Sequence, residues 1–542
     1  MKTITATAAL LFALLFPLSA TDEDNDGVTW LVEYDGQSLP NETTWEKSGQ
    51  LNATITDGTL HLEDGPAAAG NYRASWKAAP DQEIVVEAKV EMGAMTGWKK
   101  GASSKALWPW RDGAPVGLLI SDGRHQEGLV FYPVQTTSFT DRFIPMDTTN
   151  RFHTYRLVIR GTNMSISVDG VKKVTGQNAF WKPASSPQAF IQFGSTAKVA
   201  SGDAHWASIR LGVRKPKTQP EKNLLKITIS ESWEIPRDDA HQTRPYLYDL
   251  GQNLLLMSVA QGSDAFYEHY GLLKSTDAGK SWSPIEGLDK KSTTPLPVLR
   301  RPDGSIRAMS RWTWLLKDGS VQGKTFHLDA RANTFSMSDN TIILPAKYTN
   351  EIEGDKLVVE RHIWNDEDGA MTMVVWSRKA VPISDGRMST ERMSHLVKSS
   401  DDGKTWNYVS TIGPGGEPAV ARLTATELTA VIRGARTSQM TQTFSHDGGA
   451  TWDKPIALEV GRVAPDLVFM SNGVLACSYG RPASCIMFSI DGGKTWCSHR
   501  VVSDSVGFNY CSIREISPGR LLLVHDAPKM NAVYIDVQRL DQ

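Results

Sequence analysis

The sequence predicts an all-β protein in which a β-sandwich is followed by a β-propeller, and three observations support this fold class. First, the pattern S-x-D-x-G-x-[ST]-W occurs at residues 275–282, 399–406, 445–452 and 489–496. Second, the region before about residue 214 alternates apolar and polar residues with the period of two that is typical of strands. Third, no segment has the periodicity of an amphipathic helix of useful length.

The repeated pattern has the composition of a tight turn between two strands. Its Ser and Asp side chains can bond to nearby backbone amides, its Gly accepts a conformation that other residues resist, and its Trp can cover a hydrophobic layer. A turn that recurs in the same phase indicates a radial array of similar β-units. The region from about residue 224 to residue 542 is long enough for six four-stranded blades.

The N-terminal region predicts strands of a different kind. Residues 83–90 and 155–160 alternate as half-buried strands do, and residues 164–171 contain a strand that ends in an Asp-Gly hairpin turn. This order resembles the laminin-G or concanavalin-like jelly roll. Trp98 and Trp108, with the neighbouring Trp110, could stack on sugar rings or fill a loop, and both interpretations stay open.

At 542 residues the chain is longer than one ordinary domain. We expect a signal peptide at 1–20, a sandwich domain at 28–213, a linker at 214–223 and a propeller at 224–542. The first segment has an apolar run followed by small residues that suit cleavage. Because that run is short for a membrane span, the mature chain is expected to be soluble and either secreted or periplasmic.

Charge and cysteine content narrow the function classes. The chain has 58 basic and 60 acidic residues, which gives no electrostatic footprint for nucleic acid. The cysteines Cys477, Cys485, Cys497 and Cys511 all lie near the C-terminus. Export permits disulfides between them, and free buried thiols are the alternative. Their spacing matches no zinc pattern, and neither a metal nor a cofactor is expected.

The repeated turns resemble the Asp-box of the sialidase superfamily, whose fold is a six-bladed β-propeller and in which these boxes are structural. The resemblance extends to residues that bind substrate. Arg244, in Thr243-Arg244-Pro245, corresponds to the arginine at the start of the first blade. Arg433, at the end of a strand, and Arg481, in Gly480-Arg481-Pro482, correspond to the second and third arginines of the family.

The same resemblance implies three catalytic residues. Asp264 stands eleven residues ahead of Ser275, where the family's acid/base aspartate falls, and Glu268 and His269 compete with it for that assignment. Glu417 lies at the start of a strand in the blade that contains Arg433. Tyr510 lies in the strand that carries the family's nucleophile. His362 could line the central funnel, although a lone histidine is usually structural, and Arg311 and Arg361 could touch substrate, but none of the three is assigned.

These residue types suit a sugar that carries a carboxylate on its anomeric carbon. Three arginines can hold that anion with charge-assisted hydrogen bonds. A carboxylate nucleophile would meet an already anionic centre, and two unit charges about 4 Å apart repel by roughly 4 kcal/mol at intermediate dielectric. A phenol avoids much of this repulsion, and tyrosine nucleophiles are known exceptions to the two-carboxylate rule. Tyr510 would need a base, for which Glu417 is the candidate.

The resemblance therefore implies a secreted exo-α-sialidase that retains anomeric configuration through a glycosyl-tyrosine, with Asp264 as acid and then base. Two alternatives stay open. One is an exo-glycosidase that acts on another acidic sugar, such as a ketodeoxynonulosonic acid or a uronic acid. The other is a propeller that binds glycans without cleaving them. In each case the expected partners are sialylated or other acidic glycans.

Overall fold

The computed structural model describes residues 27–541 except 65–69, 78–81, 97–115, 134, 139–142, 162, 177–178, 181, 196–200, 215–223, 236–241, 264–265, 286–294, 317–319, 330–333, 346–356, 383–387, 434–439, 459, 462, 482 and 506–507. The predicted signal peptide, most of the predicted linker, and Trp98, Trp108 and Trp110 lie outside the described residues. Over the described ranges the regular elements are all strands, which confirms the predicted all-β class. Within them no helix is long and apolar enough to cross a membrane.

The first sixteen strands form the N-terminal sandwich. They are β1 (Thr29–Tyr34), β2 (Glu46–Gly49), β3 (Asn52–Thr56), β4 (Thr59–Asp64), β5 (Gly70–Ser75), β6 (Glu83–Thr96), β7 (Gly117–Ser121), β8 (His125–Tyr132), β9 (Gln135–Ser138), β10 (Phe143–Pro145), β11 (His153–Arg160), β12 (Asn163–Val168), β13 (Val171–Gly176), β14 (Lys182–Pro183), β15 (Phe190–Gly194) and β16 (Ser201–Arg214). They build two eight-stranded antiparallel sheets.

One sheet has the order β13-β12-β11-β6-β16-β4-β3, with β1 also paired to β16, and the other has the order β10-β9-β8-β7-β15-β5-β2, with β14 paired to β8. Strand β11 illustrates why the two sheets pack together. Its side chains are alternately buried and half-buried along its whole length, so every second residue points into the core. The two inner faces enclose a core that includes the fully buried Trp45 and Trp206. Face-to-face packing of this kind is that of a β-sandwich.

The remaining strands form the propeller. They are β17 (Leu225–Ile229), β18 (Trp233–Glu234), β19 (Gln242–Asp249), β20 (Leu255–Ser263), β21 (Phe266–Ser275), β22 (Ser283–Pro284), β23 (Pro295–Arg300), β24 (Ile306–Ser310), β25 (Trp314–Leu315), β26 (Val321–Asp329), β27 (Thr334–Ile343), β28 (Val358–Asn365), β29 (Met371–Pro382), β30 (Met388–Ser399), β31 (Thr405–Pro414), β32 (Gly416–Arg422), β33 (Leu428–Arg433), β34 (Thr441–Ser445), β35 (Ile456–Ala457), β36 (Val463–Phe469), β37 (Leu475–Gly480), β38 (Ser484–Ser489), β39 (Cys497–Ser503), β40 (Cys511–Ser517), β41 (Arg520–His525) and β42 (Asn531–Arg539).

These strands divide into consecutive antiparallel units, which we call blades. Blade one is β19–β22, blade two is β23, β24, β26 and β27, blade three is β28–β31, blade four is β32–β35, blade five is β36–β39, and blade six is β40–β42 completed by β17. Blades two and three are joined at the rim by a short parallel pairing of β27 with β31. The first strand of each blade contacts the first strand of the next, and β40 contacts β19. The ring of first strands is therefore closed.

The Asp-boxes join third to fourth strands and hold neighbouring blades together. In the third box, Gly449 N–H donates to Ser445 Oγ at 2.8 Å and Thr451 N–H donates to Asp447 Oδ1 at 2.9 Å. Gly449 has a φ of 90°, and a side chain there would come within 2.5 Å of Leu396 in blade three. Glycine is thus required both by the turn conformation and by the close approach to the neighbouring blade.

The box geometry also indicates where a site can lie. Successive strands of a blade run in opposite directions, so the start of the first strand and the end of the second lie at one end of the propeller. The Asp-boxes, at the end of the third strand, lie at the opposite end.

The four cysteines are free, and Cys477, Cys485 and Cys511 are buried, so the free-thiol alternative describes this chain.

Candidate active site

A bulge at the start of several first strands turns side chains toward the propeller centre. The register of β19 shifts at Arg244, that of β32 at Glu417 and that of β36 at Ala464, and each of these residues precedes a proline. All have left-handed backbones, with φ of 55°, 48° and 45°. Such conformations cost about 1–3 kcal/mol each and concentrate at functional sites. Arg244 and Glu417 therefore occupy equivalent positions in blades one and four.

Second strands supply further side chains at the same end of the propeller. Arg433 is the last residue of β33, and Arg481 directly follows β37 with a φ of 62°. Tyr510 directly precedes β40, and its neighbour Asn509 has a φ of 56°. Five strand ends, on blades one, four, five and six, therefore carry charged or phenolic side chains at the same end of the propeller.

The three predicted arginines converge on Tyr510. The Arg433 Nη1 atom donates to the Tyr510 hydroxyl oxygen at 3.4 Å. The guanidinium carbon of Arg244 lies 4.4 Å from the centre of the Tyr510 ring, and that of Arg481 lies 5.4 Å from it. These are cation–π distances. Tyr510 is only 1 % exposed, since it packs with Val463 and Ala464 and the guanidinium groups lie over its ring.

Glu417 is tied to the same group through Arg433. Arg433 Nη1 donates to Glu417 Oε1 at 2.6 Å, and the backbone N–H of Ala464 donates to Oε2 at 3.1 Å. Burial alone would raise the pKa of Glu417, but Arg433, Arg244 and Arg392 together hold it well below its usual range. Glu417 is therefore a carboxylate, and both of its oxygen atoms are already engaged.

Asp526, which follows β41, accepts hydrogen bonds from the backbone of two site residues. Its Oδ2 accepts the N–H of Arg244 and its Oδ1 accepts the N–H of Tyr510, both at 2.9 Å. Burial raises the pKa of Asp526 to about 6, although the hydrogen bonds from Arg244 and Tyr510 act in the opposite direction. One buried carboxyl thus sets the relative position of the first arginine and the predicted nucleophile.

The raised pKa of Asp526 makes a prediction for stability. Below pH 4 the carboxyl is protonated in both the folded and the unfolded chain, because the unfolded aspartate titrates near 4. Between pH 4 and pH 6 only the folded state keeps the proton, so stability falls as the pH rises, by roughly 3 kcal/mol in total. We expect Asp526→Asn to remove this loss, measured as unfolding free energy in urea at pH 4 and pH 7. The exposed Asp504→Asn is the control and should preserve the pH dependence of the unmodified chain.

A second polar layer lies within the propeller and contains residues that the sequence left unassigned. Asp466 is fully buried and accepts hydrogen bonds from Ser512 Oγ at 2.6 Å and Arg514 Nη1 at 3.0 Å. His362 Nε2 lies 3.1 Å and Arg361 Nη1 lies 3.5 Å from the same carboxylate. Burial lowers the pKa of His362. This cluster joins blades three, five and six, so Arg361 and His362 have a structural role in linking the blades.

Arg311 belongs to the border of this layer. It follows β24 in blade two and lies 3.8 Å from Glu360, which also accepts a hydrogen bond from Trp376 Nε1 at 3.1 Å. Arg311 is 2 % exposed and is among the arginines that lower the pKa of Glu417. Arg311 is therefore part of the electrostatic environment of the site.

The structure thus brings together Arg244, Arg433, Arg481, Glu417 and Tyr510, while Asp264 lies outside the described residues, so its predicted role stays a prediction. The sequence analysis missed Asp526, Arg392 and the contribution of Arg311. Asp526 and Arg311 follow the second strands of their blades, as Arg433 and Arg481 end or follow theirs. Aligning the blades on the ends of their second strands would have found both. Cys511, beside Tyr510, is a buried thiol whose pKa is raised by burial, and it offers no nucleophile.

Residues 226–523 match the family model described as a BNR repeat-like domain. Among solved structures, the chain resembles a protein of unknown function from Dyadobacter fermentans, with 17% identity and a TM-score of 0.45 over 58% of this chain and 99% of that chain. It also resembles a point mutant of the NanB sialidase of Streptococcus pneumoniae (10% identity, TM-score 0.40, 86% and 96% covered). A third is the α-L-arabinofuranosidase Arb93A of Fusarium graminearum (14%, 0.39, 58% and 99%). No curated protein matches the sequence.

Proposed function

The chain belongs to the BNR repeat-like domain family, and from this premise we propose that it is a retaining exo-glycosidase that releases terminal α-linked sialic acid through a covalent tyrosyl intermediate. The observation that carries the proposal is the convergence of three guanidinium groups from different blades on one phenol, beside a buried carboxylate. Among the described residues, Arg244, Arg433 and Arg481 lie at Tyr510, and Arg311 and Arg392 add to the positive field at Glu417. Cations so close together favour the binding of an anion.

The anion expected here is a planar carboxylate. Guanidinium groups bind carboxylates in a bidentate manner, and arginines from different blades can approach one carboxylate from several sides. Arg244, Arg433 and Arg481 come from blades one, four and five and meet at Tyr510. A sugar carboxylate held by them would bring its anomeric carbon close to the phenol oxygen, as proximity catalysis requires.

The contacts of Glu417 suggest how Tyr510 is activated. Arg433 Nη1 donates a hydrogen bond to Glu417 Oε1. We expect the substrate carboxylate to draw Arg433 away, which frees that oxygen and raises the pKa of Glu417 toward that of a useful base. The phenol proton then passes to Glu417 as the Tyr510 oxygen bonds to the anomeric carbon. The glycosidic bond breaks, and its oxygen takes a proton from the predicted acid Asp264. Water activated by Asp264 later cleaves the glycosyl-tyrosine, so two displacements retain configuration.

Two other functions have specific support. Arg311 and Arg392 add positive charge beyond the three arginines, and this positive field suits any sugar that carries a carboxylate, so it supports another acidic sugar as well as sialic acid. The 1 % exposure of Tyr510 favours a propeller that binds glycans without attacking them. The signal peptide expected from the sequence supports a site of action outside the cytoplasm, and sialylated or other acidic glycans are the proposed partners.

One assay distinguishes the three functions. The purified chain is offered matched aryl α-glycosides of N-acetylneuraminic acid, ketodeoxynonulosonic acid and glucuronic acid, and phenol release is followed. We expect release from the first substrate, with the α-anomer of the free sugar appearing first by NMR. Exclusive release from either of the other glycosides would replace sialic acid as the substrate. Binding of sialic acid with no release from any glycoside would leave only the glycan-binding function.

A further inference from the structure

A cluster of metal-ligating side chains lies on the N-terminal sandwich and shares no residue with the candidate active site. His61 on β4 and Asp203 and His205 on β16 offer ligand atoms that all lie within 4.8 Å of one another. The strands pair so that His61 stands directly opposite His205. Asp203 and His205 are two residues apart on β16, so both side chains point to the same face of the sheet. We propose that this cluster is a binding site for one divalent ion of the zinc class.

The residues are already close to a coordination geometry. His61 Nε2 lies 3.1 Å from Asp203 Oδ2, and the rings of His61 and His205 stack with centres 4.4 Å apart. Ligand bonds of about 2 Å place tetrahedral ligand atoms about 3.3 Å from one another. The His61–Asp203 pair meets this spacing, and binding of one ion by both histidines requires the stacked rings to turn out of their near-parallel arrangement so that their nitrogen lone pairs converge.

The backbone leaves room for the carboxylate. Gly93 on β6 faces Asp203, and a Cβ atom at position 93 would lie 2.1 Å from Asp203 Oδ2. The carboxylate of Asp203 therefore occupies the space of a missing side chain, which holds it beside the two histidines. Neighbouring acids add negative potential, because Glu63 stands opposite Asp203 and Glu91 stands opposite His205 in the sheet register.

The chemistry of this ligand set favours zinc over calcium or magnesium. Imidazole nitrogen is a preferred ligand of zinc, whereas calcium and magnesium select oxygen ligands. Three protein ligands leave a fourth position for water or for an oxygen of a bound molecule. The side chains of His61 and Asp203 are 26% and 22% exposed, so that fourth position is open to solvent. The ion would also join β4 to β16 across the sheet.

The test measures zinc bound to the full chain after treatment with a chelator and removal of free metal. We expect one zinc ion per chain with added Zn²⁺, and at least about tenfold weaker binding in His61→Gln and His205→Gln. His125→Gln is the matched control, since His125 lies in the same sandwich, is 34% exposed and has Asp122 beside it at 3.6 Å, but it is not part of the proposed ligand cluster.

A second variant keeps every ligand. Gly93→Ala should displace the Asp203 carboxylate and weaken zinc binding while both histidines remain. Cobalt supplied in place of zinc should give the visible absorption of a tetrahedral site in the unmodified chain and lose it in His61→Gln. Equal zinc content in the unmodified chain, His61→Gln and His205→Gln would overturn the proposal, as would equal loss in His125→Gln. This result does not depend on the glycosidase proposal, because it is read from metal content alone.

Discussion

Tyr510→Phe is expected to lose at least about 10³-fold in kcat on an aryl sialoside, which corresponds to about 4 kcal/mol of transition-state stabilisation. The substitution removes only the oxygen that would bond to the anomeric carbon. The three arginines remain, so we expect the affinity for free sialic acid to change by less than about tenfold. Steady-state kinetics and direct binding measured on the same variant would therefore separate catalysis from recognition.

Tyr248→Phe is the control for this experiment. Tyr248 is also buried in the propeller, a guanidinium group also lies over its ring, and its hydroxyl has no hydrogen-bond partner among the described residues. Its loss should leave both kcat and binding nearly unchanged. If Tyr510→Phe keeps more than a tenth of normal turnover while Tyr248→Phe behaves as expected, Tyr510 is not the nucleophile and another group must attack the sugar.

The low exposure of Tyr510 bears on the same result. Because Arg244 and Arg481 lie over the phenol ring, a substrate carboxylate that binds those cations would move them relative to the ring. Binding of the substrate carboxylate and exposure of Tyr510 would then occur together. This coupling would restrict attack to sugars that carry an anion, since a neutral sugar would leave the phenol covered.

The sequence supports prediction of the fold better than prediction of the site. The Asp-boxes could be found because a turn needs Ser, Asp, Gly and Trp at fixed spacing, and those requirements are local. Arg244, Arg433 and Arg481 could be found because a family resemblance places them. Asp526 has no local motif of its own, and only a comparison of the blade ends points to it, since it accepts N–H groups from Arg244 and Tyr510, the first of which lies 282 residues away.

Glu417 illustrates a different limit. The sequence predicted it as the base for Tyr510 from its place in a blade. Its contacts are with Arg433 Nη1 and with the backbone of Ala464. The pKa of Glu417 is lowered by Arg433 on its own blade and by arginines on three other blades. This electrostatic field depends on which blades meet at the centre of the propeller, and no local sequence pattern contains that information.

The second large effect is expected when the ion pair between Arg433 and Glu417 is broken. Their side chains are 14% and 7% exposed, with Nη1 and Oε1 2.6 Å apart. Arg433→Leu leaves a buried carboxylate without its nearest cation, so we expect a loss of about 3–5 kcal/mol in unfolding free energy. Catalysis should be lost as well, since Arg433 is also the hydrogen-bond donor to the Tyr510 hydroxyl. Chemical unfolding followed by tryptophan fluorescence measures the first effect, and hydrolysis of the aryl sialoside measures the second.

A double-mutant cycle shows whether the pair is the cause. Glu417→Leu combined with Arg433→Leu should cost less than the sum of the single changes, because no unpaired charge remains. Arg520→Leu is the control, since Arg520 and Asp536 form a half-exposed pair with atoms 2.6 Å apart in blade six, and its unfolding midpoint should hardly move. Additive losses at Arg433 and Glu417 would mean that the two side chains act separately. In that case substrate binding could not release Glu417 from Arg433, and the proposed activation of Tyr510 would have to be abandoned even if Tyr510 remained the nucleophile.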